Sequence, residues 1–89
     1  MMKNHIVFNK RLNFEIVNHS HILISNKSQY YVVNGISAQI VRLIILMGKI
    51  EIPEVVHYGE LNFKNHRQLE KKIHQLIASL VQLKIVSLK

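Results

Sequence analysis

The run Tyr30-Tyr31-Val32-Val33-Asn34-Gly35-Ile36-Ser37-Ala38-Gln39-Ile40-Val41-Arg42-Leu43-Ile44 constrains the fold more than any other stretch of the chain. It opens with four aromatic or β-branched residues, the types that fit a pleated, half-buried surface. Asn34-Gly35 follows, a pair that tolerates positive φ and so can turn the chain sharply. From Ile36 the period changes: Ile36, Ile40, Leu43, Ile44 and Met47 fall on one helical face. Asn34 or Ser37 can accept a hydrogen bond from the free N–H groups of the helix start. Strand, turn and helix are thus specified by neighbouring residues, and the rest of the chain has to pack around that joint.

Upstream, Leu12, Phe14 and Ile16 alternate with Asn13 and Glu15, the period of a strand with one buried face. Asn18-His19-Ser20 breaks it, Ile22-Leu23-Ile24 forms a second short strand, and Ser25-Asn26-Lys27-Ser28 has hairpin-loop composition. With Tyr30 to Val33 as the third strand, this predicts an antiparallel meander. Residues 1–11 are mostly polar and read as a flexible lead-in, with Ile6-Val7-Phe8 able to pair at a sheet edge.

Downstream, Val41, Ile45 and Leu46 make the helix apolar nearly all round, so it must be buried on most sides, in the core or against a partner. Gly48 ends it. Pro53 suits the first turn of a short second helix containing Glu54, Val55, Val56 and Tyr58, with Gly59 to Asn65 as a loop. A third helix is expected from Asn65 or His66 to about Leu83, its core stripe being Leu69, Ile73, Leu76, Ile77, Leu80 and Leu83. Ile85 to Leu88 leaves room for one short strand. The expected fold is α+β, winged helix-turn-helix-like, with a three-stranded antiparallel sheet packed on three helices over residues 12–89.

At 89 residues the chain is one domain, and 48% hydrophobic residues make it a folding sequence. The absence of cysteine excludes disulfides and thiolate metal sites and fits a cytoplasmic location. No apolar run nears the roughly 18 residues of a membrane helix. Twelve Lys and Arg against five Glu and no Asp give a formal charge of +7, which favours an anionic partner. The basic residues are spread along the chain, Lys64, Arg67, Lys71 and Lys72 being the local cluster.

Catalytic chemistry finds little support. His19 and His21 would share a strand face, but no third ligand stands at a suggestive spacing, and His66 and His74 lie about 80° apart around a helix. The serines lie in no recognisable nucleophile setting, Glu51 and Glu54 form no paired-carboxylate site, and three isolated glycines make no phosphate loop. The expectation is a non-enzyme without cofactor or metal.

Tyr30-Tyr31-Val32-Val33-Asn34 followed by Ala38, Ile40, Val41 and Ile44, then Gly48, the pair Val55-Val56, and the closing Leu80, Leu83, Ile85 and Val86 resemble the pattern of the PqqD-like domains, the recognition elements of ribosomally made peptide products (RiPP). The resemblance spans roughly residues 12–88. It departs where Val33 stands in place of the usual Leu, and in a final helix with Glu70 as its one acidic residue. It implies that the domain binds the leader segment of a precursor peptide as an added strand on the third strand, beside the third helix. The peptide-binding residues would be Tyr30, Tyr31, Val32 and Val33 on the edge and Arg67, Lys71, Lys72 and Gln75 on the helix side. It further implies delivery to a modifying enzyme, a peptidase, cyclase or radical enzyme, and stand-alone domains of this length serve lasso peptide pathways. Without the resemblance, Tyr31 and Val33 read as core and Lys71 and Lys72 as a solvated face.

The competing expectation is a winged-helix DNA-binding regulator, with Arg67, Lys71 and Lys72 on phosphates and bases. A Leu- and Ile-rich second half of the last helix and a single terminal strand disfavour nucleic acid as the partner. A homodimer built on the apolar helix from Ile40 to Met47 is compatible with the peptide-binding expectation.

Overall fold

The structure, a computed structural model, describes residues 4–63 and 67–89. The domain is α+β. In chain order the elements are β1 (His5–Phe8), β2 (Asn13–Asn18), β3 (His21–Ser25), β4 (Tyr30–Asn34), α1 (Gly35–Met47), β5 (Lys49–Glu51), α2 (Ile52–Asn62), α3 (Leu69–Gln82) and β6 (Val86–Leu88). The strands form two antiparallel sheets, one ordered β2-β3-β4 and the other β5-β1-β6.

The first sheet is the expected meander. β3 pairs with β4 from His21↔Asn34 to Ser25↔Tyr30, and with β2 from Asn13↔Ser25 to Asn18↔His21, with a bulge between Ile16 and Asn18. This register puts Ile22, Ile24, Tyr31 and Val33 on one face, against the core. Asparagine side chains close both turns: Asn18 Oδ1 accepts from the Ser20 N–H, and Asn26 Oδ1 from those of Ser28 and Gln29.

Helix α1 touches both sheets, through β3 and β4 on one side and β1 and β5 on the other. That position explains its all-round apolar sequence. Ala38, Ile40, Val41 and Ile44 are fully buried, whereas Leu46 (63% exposed) and Met47 (55%) at its far end are not covered. Asn34 stands at the N-cap with extended backbone, but its side chain makes no capping bond. Gly35 turns the chain at φ 66 and donates its N–H to the Ser20 carbonyl at 2.9 Å, tying the joint to the β2–β3 turn. At the other end Gly48, at φ 74, closes the helix with an N–H bond to the Ile44 carbonyl at 2.8 Å.

Three expectations need correction. Residues 5–8 are not lead-in but the central strand of the second sheet, where Ile6 pairs with Ile50 and Leu88. Burial of Ile6 and Phe8 is what holds them there, and the Phe8 ring meets Phe14 edge-on at 5.8 Å, linking the two sheets. The second helix does not stop before Gly59 but continues to Asn62, because Gly59 lets α2 approach α3 closely: a Cβ there would lie 2.5 Å from Ile73 Cδ1. The third helix begins at Leu69, after a left-handed Gln68; the expected start at Asn65 or His66 lies outside the described residues. The order α1–β5–α2–α3–β6 is compatible with a winged helix-turn-helix, with β6 pairing to β1 rather than forming a hairpin of its own. Among the described residues no helix is long and apolar enough to cross a membrane.

Candidate functional site

Four strands lie at sheet edges, and they differ in how they are protected. Natural edges are blunted by shortness, charge, proline or bulges, because an open row of backbone N–H and C=O groups invites another chain. β5 and β6 are three residues each, with Lys49 and Glu51 in the former and Lys84 and Lys89 flanking the latter. β2 carries Glu15 and the bulge between Ile16 and Asn18. β4 has none of these devices. Its five residues, Tyr30-Tyr31-Val32-Val33-Asn34, hold no charge, proline or bulge, and among the described residues it pairs with β3 alone.

Beside that edge runs a groove. Tyr31, Val33 and Asn34 line it from the strand, Ser37 from the first turn of α1, and Leu76, Ser79, Leu80, Leu83 and Ile85 from α3 and the turn after it. Its volume is about 420 Å³. A smaller cleft of about 100 Å³, lined by Ile36, Ile40, Leu69, Lys72 and Ile73, shares Ser37 and Leu76 with it and extends it along α3. Pleating divides the labour within β4. Tyr31 and Val33 lean on the core, and Tyr30 (76% exposed) and Val32 (66%) project outward. The Tyr31 hydroxyl donates to Gln29 Oε1, which holds the ring at the mouth of the strand.

The eight residues picked from sequence separate. Tyr30, Tyr31, Val32, Val33 and Lys72 line the two clefts. Arg67, Lys71 and Gln75 are exposed and line neither. Helical geometry accounts for this: Lys72, Leu76, Ser79 and Leu83 recur at i, i+4, i+7 and i+11, whereas Lys71 lies about 100° and Gln75 about 60° off that stripe. Sequence reasoning missed Ser37 and Ser79 as groove residues, and placed Leu76 and Leu83 in the core stripe. A stripe whose last member, Leu83, stays 45% exposed is lining an opening as well as a core. Nothing in a single sequence marks that difference.

Elsewhere the chemistry is sparse. His21 Nδ1 lies 3.2 Å from Asn18 Oδ1, and His19 is exposed. His66 lies outside the described residues. Among the described residues no three His, Cys, Asp or Glu side chains are grouped so as to hold a metal ion, and the close His–carboxylate contacts are the half-buried His5–Glu51 and the exposed His74–Glu70, at 3.7 and 3.8 Å. Comparisons of the chain with protein-family models, curated proteins and solved structures find no match.

Proposed function

We propose that this chain is a non-catalytic peptide-binding domain of the RiPP recognition-element type. It takes up the leader segment of a ribosomally made precursor peptide as a fourth strand on β4 and presents it to a separate modifying enzyme in the cytoplasm. The observation that carries this is the unprotected five-residue edge of β4 lying beside an apolar groove. Strand addition needs both parts: backbone bonds supply affinity, and a groove for alternate side chains supplies specificity. The resemblance of Tyr30 to Ile44 to the PqqD-like pattern supports the same reading, as does Lys72 on the rim, where an acidic leader residue would find a partner.

A DNA-binding winged helix is the second reading, favoured by Arg67 and Lys71, which stand exposed on or near α3 and away from the groove. One titration separates the two. The labelled leader half of a precursor peptide encoded beside this gene and a random DNA duplex are each followed by fluorescence anisotropy at about 50 and 200 mM salt. Peptide binding with weak salt dependence, abolished by proline at alternate leader positions where a ladder N–H is needed, is the expected result. DNA binding that falls by orders of magnitude between the two salts, with no peptide binding, overturns it.

A further inference from the structure

A second surface draws on charges that are far apart in sequence. Lys10 and Arg11 follow β1, Lys84 follows α3, and Lys89 follows β6, yet all four line one cleft of about 720 Å³ beside the β6 edge. No Asp or Glu side chain lines it, and neither His–Glu contact among the described residues involves these four side chains. The two cation-bearing turns are fastened together by Asn9. Its N–H bonds to the Ile85 carbonyl at 3.0 Å and its side-chain Nδ2 to the Lys84 carbonyl at 3.0 Å, while its Oδ1 accepts from the Arg11 N–H at 3.0 Å. The backbones of the two turns that carry these cations are therefore fixed relative to one another.

Lys84 adds an independent observation. It occupies a left-handed conformation at φ 63, a position that glycine or asparagine fills at helix ends at lower energy. A lysine kept in an unfavourable backbone position points to a role for its charge.

We propose that this cleft docks an acidic, apolar-bearing segment of a partner protein, at a site separate from the β4 groove. Charge complementarity sets the sign of the partner, because four cationic side chains around one cleft attract carboxylates and repel other basic surfaces. The walls select polypeptide over nucleic acid. Val7, Val81 and Leu88, each partly exposed, line the cleft together with the cations, and a phosphate backbone would leave that apolar surface uncovered, whereas alternating acidic and apolar side chains satisfy both. This cleft and the β4 groove share no residue, so the proposal stands or falls apart from leader binding.

The test uses the full chain and a fluorescein-labelled peptide of about ten residues alternating Glu with Val or Leu, its Gln-for-Glu counterpart, and a DNA duplex of about 20 base pairs, with amide chemical shifts as the map. Expected are shifts from the Glu peptide centred on Arg11, Lys84 and Ser87, affinity at least about tenfold above the Gln peptide, and a loss of about tenfold or more in Arg11→Glu/Lys84→Glu. Because reversal at Lys84 also acts on the turn, Lys84→Asn, which tolerates the left-handed conformation, serves as a second variant and should weaken binding severalfold with an unchanged amide spectrum elsewhere. DNA binding more tightly than the Glu peptide, with the same amides shifting, overturns the proposal in favour of a phosphate site. Shifts that fall elsewhere, or an affinity indifferent to Lys84→Asn and to the double reversal, overturn it in favour of a merely solvated surface.

Discussion

Replacing Lys84 by glycine should stabilise the domain while weakening its cationic cleft. The Lys84 N–H bonds to the Val81 carbonyl at 3.0 Å, and the Ile85 N–H to the Leu80 carbonyl at 2.9 Å. These are the paired bonds of a Schellman closure, with Lys84 at φ 63 in the place glycine usually takes. A residue with a Cβ loses roughly 1–2 kcal/mol in that conformation. Glycine gives back about 0.5–1 kcal/mol through the greater freedom of the unfolded chain. The net gain is therefore about 0.5–1 kcal/mol, or about 2–8 °C in Tm for a domain of this size. Thermal melts followed by circular dichroism of the wild type, Lys84→Gly and Lys84→Ala measure it. Lys84→Ala keeps the Cβ and hence the strain, so its Tm should not rise, yet both variants lose the same charge and should lose the same share of affinity for the Glu peptide. A Lys84→Gly melt at or below the wild-type Tm would refute the reasoning, since the lysine side chain would then have to contribute a stabilising contact that offsets its backbone energy.

Other expectations follow from the same geometry. Leu83→Glu puts a charge at the mouth of the β4 groove on a side chain already 45% exposed, so it should lower Tm little while reducing leader affinity by about tenfold or more in the anisotropy titration. Lys72→Ala should weaken leader binding by roughly threefold, as a rim charge does, whereas Arg67→Ala and Lys71→Ala should leave it unchanged; equal losses at all three would place the peptide elsewhere. Gly59→Ala should destabilise by about 1 kcal/mol, because overpacking against Ile73 Cδ1, at 2.5 Å from the new Cβ, outweighs a helix-propensity gain of similar size. Ile73→Val removes that methyl at about 0.5–1.5 kcal/mol on its own, so the double variant should be more stable than the sum of the two losses in urea denaturation; strict additivity would show that α2 and α3 do not meet there.

Elements that rest on neighbours in sequence were legible, and those that rest on distant partners were not. The β2-β3-β4 meander, the joint at Asn34-Gly35 and the end of α1 at Gly48 follow from period-two alternation, turn residues and a helical apolar stripe, all within a few residues of one another. β1 was read only as a lead-in able to pair at an edge, not as a central strand, because Ile6-Val7-Phe8 is only three apolar residues long and its partners, Lys49–Glu51 and Val86–Leu88, are distant in sequence. Gly59 read as a breaker because its local propensity is poor, while packing against Ile73 favours a bare Cα at that point of the helix. The strand Tyr30 to Val33 was legible from its composition, whereas its role as a receiving edge and the helix-side choice of Arg67, Lys71 and Gln75 came from the resemblance, and the angular positions of Lys71 and Gln75 on α3 put both off the groove stripe. The cluster of Lys10, Arg11, Lys84 and Lys89 is a product of topology: β1 lies beside β6, so the turn after the first meets the turn before the second.

The C-terminal turn of α3 is what keeps the two surfaces distinct. A helix that simply ran on would carry its next residues around a common axis. The left-handed step at Lys84 instead reverses the chain so that successive side chains part: Leu83 and Ile85 line the β4 groove, while Lys84 and Val86 line the cationic cleft. The same step aligns residues 86–88 with β1, and Asn9 locks it from the other side through the Lys84 and Ile85 carbonyls. One short turn therefore sets the floor of the apolar groove beside β4 on one side and positions a cation on the other. For the proposed role, holding a peptide while a second protein acts on it, such a division is physically useful. Backbone ladder bonds and apolar contacts on the β4 side lose little with ionic strength, whereas attraction at the cationic cleft is screened over a Debye length of roughly 8–10 Å at physiological salt. Under the two proposals the first would favour retention of the peptide and the second fast, reversible exchange of the partner.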